Sequence, residues 1–106
     1  MKKLCTGFLS IIIVACSART FAPTDQQLSA MQQKVPGITL ESANAGYKLY
    51  SEKCASCHQL YRPGKYTIAQ WDNILPKMFL KAKVSSEEQR KLIEDYVHAL
   101  SKQYIE

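Results

Sequence analysis

The sequence predicts an all-α domain of about three main helices, and three observations carry that expectation. Apolar residues recur at three- and four-residue spacing in three separate stretches. Two of those stretches open on capping-box patterns. No stretch alternates apolar and polar residues between turn signals, so strands are not expected. At 106 residues the chain has room for one domain, and no internal repeat or low-complexity tract divides it.

The first main helix is expected from about Leu40 to Lys53, with Leu40, Ala43, Tyr47 and Tyr50 on one face. Gly46 interrupts it at a cost of about 1 kcal/mol relative to alanine, which points to close approach of another helix, or else to an incidental surface glycine. The second helix starts at Thr67. Gln70 completes a capping box with it, and Tyr66 and Trp71 stand where a hydrophobic staple would. Ile68, Trp71, Leu75 and Met78 continue its apolar face. Pro76 has no amide hydrogen for the carbonyl of Asp72, so it is expected to kink or end the helix and leave Met78 at a break. The third helix is expected from near Ser85, capped with Glu88, to about Gln103, with Leu92, Ile93, Tyr96, Val97 and Leu100 in one arc. His98 falls about 160° from the centre of that arc at 100° per residue, so it is expected to face water.

Ahead of these helices, residues 1–15 read as a secretory signal: Lys2 and Lys3 form a positive head, and Gly7 to Ala15 an apolar run. The run is shorter than the roughly 20 residues that a spanning helix needs. Residues 16–38 read as a tether, with a short helix over Asp25 to Lys34 whose apolar content is only Leu28, Ala30 and Met31, followed by a turn at Pro36-Gly37. Residues 39–106 form the domain. Without Lys2 and Lys3 there remain 12 basic residues against 9 acidic, too small an excess to argue for a nucleic-acid partner. The domain is expected to be monomeric.

The chemistry rests on Cys54-Ala55-Ser56-Cys57-His58, the pattern of covalent haem attachment. Two thiols two residues apart reach the two vinyl groups of one porphyrin, and the adjacent histidine points at its iron. A thioredoxin-like redox pair would open a helix after a strand, whereas this pair follows a helix. A structural zinc site needs four ligands, and the chain has no second cysteine pair and only one other histidine. One haem c held by Cys54 and Cys57, with His58 on the iron, is therefore the expected cofactor. A chain this short has few large apolar side chains, so the porphyrin is expected to supply the missing core.

With those residues in place, the segment from about Leu40 to Lys102 resembles the class I cytochromes c, in particular short bacterial monohaem forms. The resemblance implies a cytochrome c-like fold around one haem. Gly46 and Tyr50 lie eight and four residues before Cys54, where that family places a glycine and an aromatic packed against an aromatic of the last helix; Tyr96 is the match here. Met78 lies where the family carries its distal methionine, so it is the expected sixth ligand, its rival role being core filler. Pro63 is expected either to offer its carbonyl to the second imidazole nitrogen or to serve only as a turn residue with Gly64. Tyr66, Trp71 and Arg62 are expected near the propionates, or as staple and solvated surface. Lys53, Lys65, Lys77, Lys81 and Lys83 are expected to ring the haem edge and steer an acidic partner, or simply to be solvated.

Ile13-Val14-Ala15-Cys16 resembles the lipobox of bacterial lipoproteins, which implies a lipid on Cys16, export, and a periplasmic or cell-envelope location on a bacterial membrane, the alternative being an ordinary signal peptide cleaved near a cysteine. With Cys5 in the signal, no disulfide is expected. The expected function is electron transfer between redox partner proteins rather than catalysis. The alternative is a five-coordinate haem that binds a gas or peroxide.

Overall fold

The computed structural model describes residues 21–54 and 60–103, and within them every regular element is helical. Four α-helices follow one another: α1 (Leu28–Lys34), α2 (Leu40–Cys54), α3 (Ile68–Lys81) and α4 (Glu87–Ala99). Short 3₁₀ turns at Asp25–Gln27 and Pro63–Lys65 precede α1 and α3. None of these helices is long and apolar enough to cross a membrane.

The frame is the packing of α2 on α4, the most extensive contact between any two helices. Gly46 makes it possible: a Cβ there would lie 2.2 Å from the Leu92 carbonyl oxygen and 2.6 Å from the Tyr96 Cβ. Only a hydrogen fits between those backbones, so the glycine expected to mark a close approach does so. One turn later Tyr50 packs against Tyr96 with ring centroids 5.7 Å apart, and Tyr47 meets the same ring at 5.8 Å.

Helix α3 begins as its sequence dictates. Thr67 Oγ1 accepts from the Gln70 amide at 3.2 Å, and Gln70 Oε1 accepts from the Thr67 amide at 3.0 Å. The staple pair Tyr66 and Trp71 meet edge to face at 5.2 Å. Pro76, however, does not end the helix, which runs on to Lys81. The carbonyl bond that Pro76 cannot make falls on the turn of Asp72 and Asn73, both exposed, where water can replace it. Met78 therefore sits within a continuous helix rather than at a break. The helix closes with Lys83 at φ 57° and the Val84 amide donating to the Phe79 carbonyl at 2.9 Å, a left-handed cap usually given to glycine.

Helix α4 departs from expectation at both ends. Its cap is Ser86, whose Oγ accepts from the Gln89 amide at 3.3 Å, one residue later than Ser85. Its last helical residue is Ala99, because the chain beyond turns back: Ser101 Oγ donates to the His98 carbonyl and the Lys102 amide donates to the Tyr66 carbonyl at 2.8 Å. The amino-terminal part is also built in. Met31 is wholly buried with Ile38, Ala43 and Ala99 in a second small core, Lys34 Nζ donates to the Ser101 carbonyl, and the Tyr96 hydroxyl donates to the Phe21 carbonyl at 2.5 Å. The packed body thus takes in residues that the sequence assigned to the tether.

Candidate functional site

The main core gathers most of the residues singled out from the sequence. Tyr50, Cys54, Trp71, Met78 and Tyr96 share it with Leu75, Phe79, Val84, Ile93 and Val97, and Tyr61, Tyr66 and Leu60 pack against its edge. Cys54 is the last residue of α2 and only 2% exposed. It follows Tyr50 and Gly46 at four-residue steps, so the helix face that meets α4 also delivers the first attachment thiol into the core. Cys57, His58 and the lipobox cysteine Cys16 lie outside the described residues.

Across the attachment string, the Tyr50 hydroxyl on α2 donates to the Tyr61 carbonyl at 2.6 Å. Tyr61 then leans edge-on against Tyr66, centroids 5.9 Å apart, and Tyr66 against Trp71. The Trp71 indole N–H donates to the Pro63 carbonyl at 2.7 Å in a buried contact. That bond occupies the indole hydrogen expected to reach a propionate, while the Pro63 oxygen keeps a second lone pair for another donor. Burial pushes the Tyr50 and Tyr96 phenols well above their ordinary range, with neighbouring Cys54, Tyr61 and Tyr66 adding to the shift at Tyr50, and Tyr50 and Tyr47 to that at Tyr96. Both phenols are neutral donors at physiological pH.

Met78 is 7% exposed and faces the core from α3, between Leu75 and Phe79. The donor set in this core is one buried thiol, one buried thioether and a wall of aromatic rings. In addition, Ser51 Oγ, one turn before Cys54, is buried with no hydrogen-bond partner among the described residues. Apolar and aromatic walls with sulfur donors are the chemistry that a porphyrin fastened at Cys54 would need around it.

Two features escaped the sequence. Tyr61, three residues past His58, carries no sequence signal of its own, yet its carbonyl accepts from Tyr50 and its ring meets Tyr66. His98 does not face water: its side chain is 14% exposed, with Nε2 2.7 Å from Asp72 Oδ1 on α3. Of the lysines expected at a haem edge, Lys65 places its ammonium 4.5 Å from the Tyr61 ring centroid, and Lys77, Lys81 and Lys83 are exposed on and just after the last turns of α3.

In comparison with known families, the model of the dihaem cytochrome c family matches residues 50–106. Nothing among curated proteins or solved structures matches the chain. The match spans Tyr50, the attachment string, Met78 and Tyr96, and it corrects the class I monohaem assignment to a family described by two haems. This chain holds a single Cys-x-x-Cys-His string. With the matched region covering more than half of its length, the chain belongs to the dihaem cytochrome c family and is a c-type cytochrome.

Proposed function

We propose that this chain binds one haem c through Cys54 and Cys57, with His58 and Met78 on the iron, and passes single electrons between larger redox proteins. The observation that carries the reading is the burial of Cys54, first residue of the attachment string, in the core that also holds Met78. Haem, when bound, supplies a one-electron iron couple. The residues around it do the rest. The Tyr50–Tyr61 bond ties the end of α2 to the residues that follow the attachment string. Met78 would offer a thioether from the core face of α3, and histidine–methionine ligation would raise the reduction potential. Tyr50, Trp71 and Tyr96 keep water from that side of the pocket. The single attachment string of this sequence supports one haem.

Partner docking is assigned to the exposed end of α3, where Leu80 is 76% exposed beside Lys77, Lys81 and Lys83. Such a surface suits an acidic partner. Export on the signal of residues 1–15 and a lipid on Cys16 complete the proposal.

The test is optical and uses protein matured in a host that attaches c-type haem. One haem per chain by pyridine haemochrome is expected. A methionine-to-ferric-iron charge-transfer band at the red end of the spectrum, lost in Met78→Ala, is also expected; a band that survives the substitution removes Met78 from the iron. One observation favours a second reading. Met78 stands inside an unbroken helix between two core residues, a place that a methionine also fills as packing. Rapid carbon monoxide binding to the reduced wild type would assign a five-coordinate haem that takes a gas or peroxide.

A further inference from the structure

Away from the haem core, α3 and α4 bring together a second set of donor atoms. His98, on the last turn of α4, lies between two carboxylates: Asp72 Oδ1 of α3 is 2.7 Å from Nε2, and Glu94 Oε1, one turn earlier on α4, is 4.0 Å from Nδ1. One ligand atom from each of the three residues lies within 4.8 Å of the other two. The imidazole is set in the seam at 14% exposure, while the Asp72 and Glu94 side chains are 55% and 48% exposed and open to solvent.

From this geometry we propose that Asp72, Glu94 and His98 form a site for a divalent transition-metal ion of the zinc type, separate from the haem iron. One imidazole nitrogen and two carboxylate oxygens are a donor set that zinc accepts, with water in the fourth position. Glu94 and His98 are four residues apart on one helix, so they present their donors on the same face, and Asp72 comes from the neighbouring helix. Bonds of about 2.0–2.1 Å in a tetrahedron set donor atoms roughly 3.3 Å apart. With the ion on Nε2, the Asp72 contact must therefore open from 2.7 Å to roughly 3.3 Å, and Glu94, now 4.0 Å from the other ring nitrogen, must swing round to the same side, both movements open to exposed carboxylates. A neutral imidazole and two carboxylates carry two negative charges, which a divalent ion matches. Lys91, on the preceding turn of α4, is paired with Asp95 at 3.1 Å and leaves Glu94 to the ion. Bound there, the metal would clamp α3, the helix that carries Trp71 and Met78, against α4.

The experiment is titration of the tag-free, haem-loaded protein with zinc sulfate, followed by calorimetry and by thermal unfolding. One zinc per chain and a higher unfolding midpoint are expected. Loss of a partner that only supports a metal ligand already weakens binding about tenfold, so Glu94→Gln and Asp72→Asn are each expected to weaken it more than that. Glu41→Gln, an exposed change on the first turn of α2, should leave it intact. His98→Gln should abolish binding; if that variant fails to mature, Glu94→Gln decides alone, since Glu94 makes only a surface contact. Absence of saturable binding, or binding that Glu94→Gln and Asp72→Asn leave unchanged, overturns the proposal.

Discussion

Helices α2 and α3 are both packed against α4, yet they are held in different ways. The α2–α4 contact is backbone against backbone, with no room at Gly46 for a single methyl group. Helix α3 meets α4 through side chains, Asp72 on His98 at the surface and Leu75, Met78 and Phe79 in the core shared with Ile93, Tyr96 and Val97, while the Trp71 indole on the Pro63 carbonyl and the Tyr66 ring on Trp71 tie its start to the segment before it. A backbone contact tolerates almost no change, whereas a contact through side chains loses its parts one at a time. The difference suits a haem protein, in which the helix bearing the attachment cysteine must be fixed and the helix facing it must adapt.

Gly46→Ala attacks the rigid contact and is expected to do the most damage. Overpacking against backbone on both sides costs about 3 kcal/mol or more, read as a collapse in the yield of haem-loaded protein and in denaturant resistance. Gly64→Ala, whose Cβ would meet the Leu100 carbonyl oxygen at 3.5 Å, should behave nearly as wild type and serves as the control.

Trp71→Phe attacks the adaptable helix through the tie at its start. It leaves the buried Pro63 carbonyl without its donor, at about 1–3 kcal/mol. Denaturant melts should show that loss while Gly46 still holds α2 on α4.

High pH probes the rings at the crossing itself. Burial raises the Tyr50 and Tyr96 phenols above their unfolded value near 10, so the folded state holds their protons more tightly than the unfolded chain does. That contribution is complete below about pH 10 and is lost as pH climbs toward the folded values. The unfolding midpoint should therefore fall on going from pH 9 to 11, and Tyr50→Phe or Tyr96→Phe should flatten the decline.

The smallest effect sharpens the account of α3. Lys83→Gly relieves a left-handed backbone that costs a lysine about 1 kcal/mol, and glycine gives part of this back through the greater freedom of its unfolded chain. A midpoint rise of a degree or two is expected.

The rigid contact was legible in the sequence and much of the adaptable one was not. Gly46, Tyr50 and Tyr96 announce the crossing because a glycine inside a helix needs a steric reason, and the start of α3 was equally plain in Thr67, Gln70, Tyr66 and Trp71. The continuation past Pro76 was hidden because a missing hydrogen bond is tolerated where the turn faces water, and exposure belongs to the fold. Ser85 and Ser86 both have a plausible partner three residues on. The choice between them depends on how α3 closes at Val84, whose carbonyl also accepts from Arg90 Nε at 2.7 Å. His98 was misplaced because periodicity describes a helix alone, and Asp72 comes from its neighbour. Of the candidate site, helical spacing marked the shared face of Trp71, Leu75 and Met78, and the class I resemblance pointed to the pairing of Tyr50 with Tyr96. The dihaem family was not, since a single attachment string says how one haem is fastened and nothing about its relatives.

The hydrogen bond from Tyr96 to the Phe21 carbonyl has a bearing on where the molecule can work. Phe21 is five residues after Cys16, and five residues at full stretch reach about 18 Å. With the lipid proposed on Cys16, the leash would be no longer than that. The domain would then ride close against the bilayer with one flank always turned to it, and partners would reach its opposite side.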